Sequence, residues 1–275
     1  MSPKLKPQYH AMKYCRFELA DSALYGLVET VGGQEMITHT LDEAPEIGIT
    51  TRARYMTPLA LQEATLLPAV CPSKIVCVGR NYREHAAELG NAVPLEPLLF
   101  FKPPSSLLGH GGTILRPTAI AQRTDYEGEL GVVIGKKCHK LADDEDVRPY
   151  ILGYTCVNDF TARDLQNKDG QWTRAKGFDT FCPVGPLVTT GGIDPWQGVS
   201  VETYVNGEVR QSGNTRDFIF PLDLIIRYIS QTMTLEPGDL IATGTPSGVG
   251  PVVAGDVIEV RVEGVGRLRN SVADQ

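Results

Sequence analysis

Short apolar runs separated by turn residues dominate the chain, and they predict a β-rich structure. Two such runs lie on either side of Asp21 and Ser22 within residues 14–31, a pattern typical of a β-hairpin. Asn206 and Gly207 favour a second tight turn. Short β-branched runs predict further strands at residues 74–79, 130–134, 151–157, 199–205, 240–243 and 257–262.

One helix is predicted by a clear apolar stripe after Pro221. Apolar residues fall there at i, i+3, i+4, i+7 and i+11, namely Leu222, Ile225, Ile226, Ile229 and Met233. This spacing indicates a helix that packs against the core. Strands and long helices do not alternate regularly, which disfavours Rossmann and TIM-barrel folds. We therefore predict a β-rich α+β fold built on a folded sheet or roll.

A proline-containing connector divides the chain into two parts. The length of 275 residues fits one large domain, or a small domain joined to a main one. Three prolines and several leucines in residues 57–72 predict the connector. We place a small N-terminal domain with its connector at residues 1–72 and the main domain at residues 73–275.

Composition excludes several classes of partner. With 33 acidic and 26 basic residues the net charge is −7, and no basic run is present, which disfavours nucleic acid. No run approaches the roughly 18 to 20 apolar residues of a membrane span, and residues 1–11 lack a signal-peptide core. These patterns predict no membrane partner and a cytoplasmic location. The six cysteines show no C-x-x-C pair, which predicts core thiols rather than a zinc site or disulfides.

Three acids with a spacing of two residues precede an apolar strand: Asp125, Glu127 and Glu129. On a strand they would share one face, about 7 Å apart, and neighbouring carboxylates would repel by roughly 2.4 kcal/mol at an effective dielectric constant of about 20. A cation would relieve this repulsion, and oxygen-only ligands favour Mg²⁺, Mn²⁺ or Ca²⁺ over zinc. The alternative is a solvated strand face.

Two further segments carry candidate acids and a candidate base. Asp159 follows an apolar strand, where it would supply a third carboxylate or cap the next helix. If residues 79–88 are helical, His85 and Glu88 lie at i and i+3 on one face. A histidine oriented by a carboxylate is a candidate general base, and an ordinary surface pair is the alternative.

A lysine and a glycine-rich loop complete the candidate chemistry. Lys176 lies among small and aromatic residues, where its charge would stabilise an oxyanion or enolate, unless it is a surface lysine. Backbone N–H groups in residues 242–250 would hold a carboxylate, although the loop lacks the lysine of a phosphate-binding P-loop. A simple turn is the alternative there.

The order of several motifs resembles that of the fumarylacetoacetate hydrolase superfamily. From about Lys74 almost to the C-terminus the chain shows, in sequence, GRNYREHAAELG, FFKPPSSLLG, DYEGELGVVIG, NDFTARDLQ, WTRAKGFDTFCPVGP, YVNGEVRQ and LIATGTPSGVGP. The resemblance implies a mixed β-sandwich roll with a small N-terminal domain, assembled as a homodimer. It also implies one divalent cation per subunit, Mg²⁺ or Mn²⁺, with Ca²⁺ as a further candidate.

The same resemblance implies roles for individual residues. Glu127, Glu129 and Asp159 match the family's metal ligands, and Asp125 is not among them. The H-x-x-E pair that activates water, on a mobile lid at residues 79–90, is matched by His85 and Glu88. Lys176 is assigned a catalytic role, and substrate binding is assigned to Arg80, Gln166, Gly244 and Thr245.

The motifs resemble the compact acylpyruvate hydrolase and oxaloacetate decarboxylase branch of the family. This branch implies a small-molecule 2-oxo acid substrate that chelates the metal and forms an enolate. Hydrolysis of the C–C bond in 3-acylpyruvates is the leading reaction. Oxaloacetate decarboxylation or tautomerisation, and isomerisation of the 2-hydroxyhepta-2,4-diene-1,7-dioate type, are alternatives.

Two different classes of protein remain open from the residues alone. One is a non-enzymatic protein that metal binding stabilises. The other is a metal-independent hydrolase with a cysteine nucleophile, although no cysteine lies beside a histidine in a known motif.

Overall fold

Strands form most of the regular structure in the computed structural model, which describes residues 11–45, 53–88 and 92–275. The first ten strands are β1 (Lys13–Leu19), β2 (Ser22–Val31), β3 (Gln34–Leu41), β4 (Ala53–Ala60), β5 (Ile75–Gly79), β6 (Leu98–Lys102), β7 (Leu107–Leu108), β8 (Thr113–Arg116), β9 (Thr124–Tyr126) and β10 (Gly128–Ile134). The others are β11 (Ile151–Asn158), β12 (Thr161–Ala162), β13 (Cys182–Thr189), β14 (Ser200–Val205), β15 (Glu208–Asn214), β16 (Leu240–Ala242), β17 (Gly250–Pro251), β18 (Val257–Val262) and β19 (Gly266–Asp274). The predicted β-rich fold is confirmed.

The helices are short. They are α1 (Arg83–Glu88), α2 (Arg163–Asp169), α3 (Thr173–Lys176) and α4 (Leu222–Thr232), with 3₁₀ turns at Leu61–Glu63, Pro104–Ser106, Arg148–Tyr150 and Thr215–Asp217. In the described parts of the chain, no helix is long and apolar enough to cross a membrane.

The apolar stripe of α4 is buried as predicted, but the helix ends one residue before Met233. The backbone of Met233 is extended, with φ −147° and ψ 153°. It leads directly into Leu235, which exchanges two backbone hydrogen bonds with Cys138. This pairing ends the helix, and Met233 still packs against the same core from beyond its end.

Three sheets make up the fold. The largest has eleven strands in the order β4-β3-β2-β1-β13-β11-β10-β16-β5-β6, with β7 joined to β13. A five-stranded sheet has the order β15-β14-β18-β19-β8, and a three-stranded sheet has the order β12-β9-β17. The main core lies between the two larger sheets and α4, where Leu130, Ile225 and Val260 belong to one buried cluster. This is the predicted mixed β-sandwich.

The predicted N-terminal hairpin is present as β1 and β2, and it continues the largest sheet through the pairing of β1 with β13. The prediction of a connector throughout residues 57–72 is wrong at its start, because β4 extends to Ala60. The proline of this strand, Pro58, lies on an edge strand where the pairing register shifts, so its missing N–H is tolerated. The domain boundary between residues 72 and 73 stays a prediction.

Strand order brings the candidate site residues to one edge of the largest sheet. In that sheet β10 lies between β11 and β16 and is antiparallel to both, while β16 is parallel to β5. The start of β10 therefore lies beside the ends of β11, β16 and β5. These are the positions of Glu129, Asp159, Gly244 and Arg80, which follow or begin those strands.

Candidate active site

Three buried carboxylates meet at this edge. Glu127, Glu129 and Asp159 each offer an oxygen, and these oxygens lie within 4.8 Å of one another. Backbone pairing holds two of them in place, because the Asp159 N–H donates to the Glu127 carbonyl over 2.8 Å. The Glu127 N–H in turn donates to the Asn158 side chain over 3.0 Å. Asp159 does not cap α2, whose N-cap is Ala162.

The donor set of this carboxylate cluster fits a divalent cation. All three ligands are carboxylates, which hard cations such as Mg²⁺, Mn²⁺ and Ca²⁺ prefer. Two oxygens that share one ion at about 2.1 to 2.4 Å can be at most about 4.2 to 4.8 Å apart. The observed separations, within 4.8 Å, are therefore those of residues able to hold one ion.

Asp125 belongs to a different cluster. The predicted continuous strand is interrupted at Glu127, so that Asp125 lies in β9 of the three-stranded sheet and Glu129 lies in β10. Asp125 accepts hydrogen bonds from Arg123 over 2.9 and 3.0 Å and from Arg163 over 2.9 Å. The expectation that all three acids share one strand face is therefore wrong, because the sheets diverge at Glu127.

Three cations balance the buried acids. The Lys176 ammonium donates to Glu127 over 2.7 Å and to Asp159 over 2.6 Å. Lys102 donates to the other oxygen of Asp159 over 2.7 Å, and Arg163 donates to the other oxygen of Glu127. The surface alternative for Lys176 is wrong, since the residue is 1% exposed.

These contacts set the charge state of the cluster. Burial opposes ionisation of Glu127, but Lys176 and Arg163 outweigh it and hold the pKa of Glu127 below its ordinary value. Burial likewise works against the charge of Lys176, and Asp159 with Glu127 outweighs it, so the pKa of Lys176 is raised. Burial and the nearby Asp159 raise the pKa of Glu129 well above its ordinary value. A positive charge next to Glu129 would favour its ionised form.

Lys102 was not identified from the sequence, although its motif FFKPPSSLLG was. Its ammonium contacts two acceptors, the Asp159 carboxylate and the Phe160 carbonyl, over 2.7 and 3.2 Å. A lysine between apolar residues at the end of a strand is the only local signal of this role. The partner lies 57 positions away, which no local pattern indicates.

Replacing Lys102 with Met should lower the free energy of unfolding by about 3 kcal/mol. Removing one partner of a buried ion pair costs about 3 to 5 kcal/mol, and Asp159 retains Lys176. The measurement is urea unfolding with a chelator present. Lys137→Met is the control, because Lys137 and Glu236 form an exposed pair worth less than about 1 kcal/mol. Equal losses in both variants would contradict a structural role for Lys102.

The candidate base is buried beside the carboxylate cluster. The conditional helix over residues 79–88 is present only from Arg83 to Glu88, because Gly79 ends β5 and Arg80 is left-handed. His85 and Glu88 lie within this helix, α1, with 3.4 Å between His85 Nδ1 and a Glu88 oxygen. The Glu88 carboxylate also accepts from the Gly248 N–H over 3.1 Å. Burial lowers the pKa of His85 below 6.5, while Glu127 and Glu88 oppose this effect. The predicted lid at 79–90 lies partly outside the described residues.

A cavity of about 450 Å³ connects the cluster to the remaining candidates. The predicted residues that line it are Arg80, His85, Glu127, Glu129, Asp159, Gln166, Lys176 and Thr245. Sequence analysis did not single out Phe100, Arg123, Arg163 or Trp172, which also line it. The structure thus brings together nearly all predicted site residues, and their roles stay predictions.

The glycine-rich loop hydrogen-bonds to an acidic residue of the site. The Gly244 N–H donates to the Glu129 carboxylate over 2.8 Å, so this N–H holds a carboxylate of the protein itself. The Thr245 hydroxyl donates to the Gly128 carbonyl over 2.9 Å and accepts from Gln211 over 2.7 Å. Contacts of Gly244 and Thr245 with substrate stay predictions.

No cysteine is among the described residues that line this cavity. All six are free, and five are buried. Burial raises the pKa of Cys15, Cys156 and Cys182 to about 12. Because the thiolate is the nucleophilic form, such buried thiols are inert at neutral pH. These three cysteines are therefore unsuited to act as the nucleophile of a metal-independent hydrolase.

A cavity with convergent polar groups, placed on a strand-rich scaffold, is the kind of site that small-molecule enzymes use. The family model described as Fumarylacetoacetate (FAA) hydrolase C-terminal matches residues 74–273. The chain belongs to this family. The resemblance seen in the motifs is confirmed.

Several proteins are similar to most of this chain. Oxaloacetate tautomerase YisK of Bacillus subtilis is 44% identical over 216 residues, which cover 74% of this chain and 71% of that protein. A mitochondrial oxaloacetate decarboxylase of Dictyostelium discoideum is 45% identical over 196 residues, 70% of this chain and 89% of that protein. The crystal structure of 5-carboxymethyl-2-hydroxymuconate delta-isomerase from Mycobacterium smegmatis superposes with a TM-score of 0.85 at 38% identity, covering 96% of this chain and 100% of that one.

Proposed function

We propose that this protein is a divalent-metal-dependent enzyme that converts 2-oxo acids through an enolate, with hydrolysis of 3-acylpyruvates as the leading reaction. The observation that carries the proposal is a cavity lined by the carboxylate cluster, Lys176 and His85. Glu88 lies 3.4 Å from Nδ1 of that histidine. Such a site combines a place for a metal, a cation for a developing oxyanion and a base.

The metal would be held by Glu127, Glu129 and Asp159, whose donor set fits Mg²⁺, Mn²⁺ or Ca²⁺. A bound divalent cation supplies Lewis-acid stabilisation, worth several kcal/mol, to negative charge on a substrate oxygen. Lys102 and Arg163 orient two of these carboxylates through the oxygens that do not contact Lys176.

His85 would act on water in the hydrolytic reaction. Glu88 orients the imidazole through Nδ1, which leaves Nε2 to take a proton from water as the water oxygen bonds to the distal acyl carbon. The bond between that carbon and C3 then breaks, and its electron pair passes into the enolate of pyruvate. Lys176, held in its charged form by two carboxylates, lies in the same cavity to stabilise the enolate oxygen. A proton delivered to C3 completes pyruvate.

A second candidate is oxaloacetate tautomerisation or decarboxylation. The names of the Bacillus and Dictyostelium relatives favour it. The same cavity suits these reactions, because each passes through an enolate that Lys176 would stabilise. Isomerisation of an unsaturated 2-hydroxy diacid is chemically related and is suggested by the name of the Mycobacterium smegmatis protein.

A substrate screen tests the proposal. Acylpyruvates, oxaloacetate and unsaturated 2-oxo diacids are offered to the purified protein with Mg²⁺ or Mn²⁺, and again after exhaustive chelation. We expect turnover that requires the metal. Turnover that survives chelation would contradict the metal-dependent reaction, and metal binding without turnover of any 2-oxo acid would favour a binding protein. A homodimer and a cytoplasmic location stay predictions.

The pH dependence of hydrolysis should show an acid limb below pH 6.5. The proposed base must be neutral, and burial lowers the pKa of His85 below 6.5, so protonation abolishes activity only at lower pH. The measurement is kcat/KM between pH 5 and 8 at saturating Mg²⁺, with residual activity of His85→Gln as the control that lacks this limb. An identical acid limb in both proteins would show that another group titrates.

A further inference from the structure

Charge pairing in the cavity leaves one arginine available for a ligand. Arg163 and Lys176 donate to the buried acids, and Arg123 is bound to Asp125 through two hydrogen bonds. Arg80 also lines the cavity, yet it has no carboxylate within ion-pair distance among the residues that the structure describes. A partly buried guanidinium in a ligand cavity is a strong site for an anion when no protein carboxylate neutralises it.

The Arg80 guanidinium lies beside an aromatic residue of the cavity lining, Trp172. Arg80 follows β5 in the left-handed region, with φ +57°, a conformation that costs energy for a residue other than glycine. Its guanidinium lies over the Trp172 ring, 5.9 Å from the centroid. A Cβ at the preceding residue, Gly79, would come within 2.8 Å of the same ring. The glycine therefore allows the tryptophan to approach Arg80.

An aromatic wall links Arg80 to the proposed catalytic end of the cavity. The Trp172 ring contacts Phe100 edge to face, with 5.0 Å between centroids. The Lys176 ammonium lies 5.1 Å from the centroid of Phe100. Contacts thus run from Arg80 through Trp172 and Phe100 to Lys176, with two aromatic rings between two cations. This arrangement suits a ligand with two anionic ends and an apolar middle.

We propose that Arg80 binds the second carboxylate of a 2-oxo diacid whose carbon chain lies along Trp172 and Phe100. This inference rests on the proposed function, because it places the 2-oxo acid end of the ligand beside Lys176. An arginine forms paired hydrogen bonds with a carboxylate, which gives geometric selectivity as well as affinity. Arg80 therefore makes the enzyme selective for extended 2-oxo diacids, including 3-acylpyruvates whose acyl group carries a carboxylate, over 2-oxo monoacids.

Calorimetry with a matched pair of ligands tests this assignment. The probes are 2-oxoadipate and 2-oxohexanoate, which differ only in the distal carboxylate, titrated into the Mg²⁺-loaded protein. The parent should bind 2-oxoadipate about 10- to 100-fold more tightly, as expected for charge-assisted hydrogen bonds. Arg80→Gln and Arg80→Asn should remove this preference and leave the affinity for 2-oxohexanoate within about threefold. Asn tolerates the left-handed backbone, which guards against misfolding.

Two controls separate the possible failures. Arg123→Gln changes an arginine of the same cavity that Asp125 already pairs, and it should keep the preference for the diacid. Oxalate, a mimic of the 2-oxo acid end, should bind the parent and all three variants alike. The Arg80 assignment is overturned if the parent shows no preference, if both Arg80 variants keep it, or if Arg123→Gln removes it. Absence of binding of oxalate and both 2-oxo acids to the parent overturns the proposed function itself.

Discussion

His85→Ala should lower kcat for hydrolysis of an acylpyruvate by roughly 10² to 10⁴, the usual contribution of one general base. Decarboxylation of oxaloacetate should fall much less, because it needs the enolate-stabilising surroundings rather than an activated water. Lys176→Met should reduce both reactions, since the lysine would stabilise the enolate of either substrate. The measurement is kcat on both substrates at fixed pH and saturating Mg²⁺.

Glu88→Gln is the matched variant for this test. It misorients the imidazole without removing it, so the loss should be of the same kind and smaller. Metal affinity should stay intact in both variants, because neither residue belongs to the carboxylate cluster. If His85→Ala hydrolyses acylpyruvate at the parental rate, the water-activating role fails and the tautomerase or isomerase reaction becomes the leading proposal.

Glu127→Gln should weaken Mg²⁺ binding by about 100-fold or more. Residues that only orient a ligand already contribute about 10- to 100-fold to metal affinity, and a direct carboxylate ligand should contribute at least as much. The substitution also removes the negative charge that accepts hydrogen bonds from Lys176 and Arg163. Both cations then lie beside a neutral amide. The measurement is calorimetric titration of Mg²⁺ and Mn²⁺, with urea unfolding to confirm that the variant is folded.

Asp125→Asn provides the control for this titration. Asp125 is as deeply buried as Glu127 and also contacts Arg163, but it lies outside the carboxylate cluster. Its metal affinity should therefore remain near that of the parent. An affinity of Glu127→Gln equal to that of the parent would exclude Glu127 as a ligand.

Local patterns predicted the elements and the acidic residues well. The hairpin turn at Asp21, the strand before Arg80 and the helix after Pro221 all follow from spacing that a few neighbouring residues determine. The convergence of Glu127 with Asp159 followed from the family pattern, since spacing alone does not report which strand ends are neighbours. Strand order supplies that information, and it is set by packing over the whole chain.

The missed residues have partners far away in sequence. Lys102 binds an acid 57 positions later, and Arg163 binds one 38 positions earlier, so neither appears in any local motif as part of a pair. Trp172 lines the cavity because Gly79 leaves room for its ring, which only the folded structure reveals. Met233 shows that a local pattern can also extend an element too far. Its spacing fits the helix, but the backbone pairing of Leu235 with Cys138 ends the helix before it.

The seam between β1 and β13 has a consequence for any attempt to isolate the family-matched segment. Residues 74–273 contain β13 but not β1, the strand that pairs with it. They also lack Phe17 and Ile37, whose side chains pack in one buried cluster with Leu187 of β13. In the shortened chain, backbone groups of β13 would lose their hydrogen-bond partners, and the apolar side chains next to them would become exposed to solvent. An exposed strand edge of this kind is a template for pairing with a strand of another molecule. The N-terminal strands therefore protect β13 from edge-to-edge aggregation.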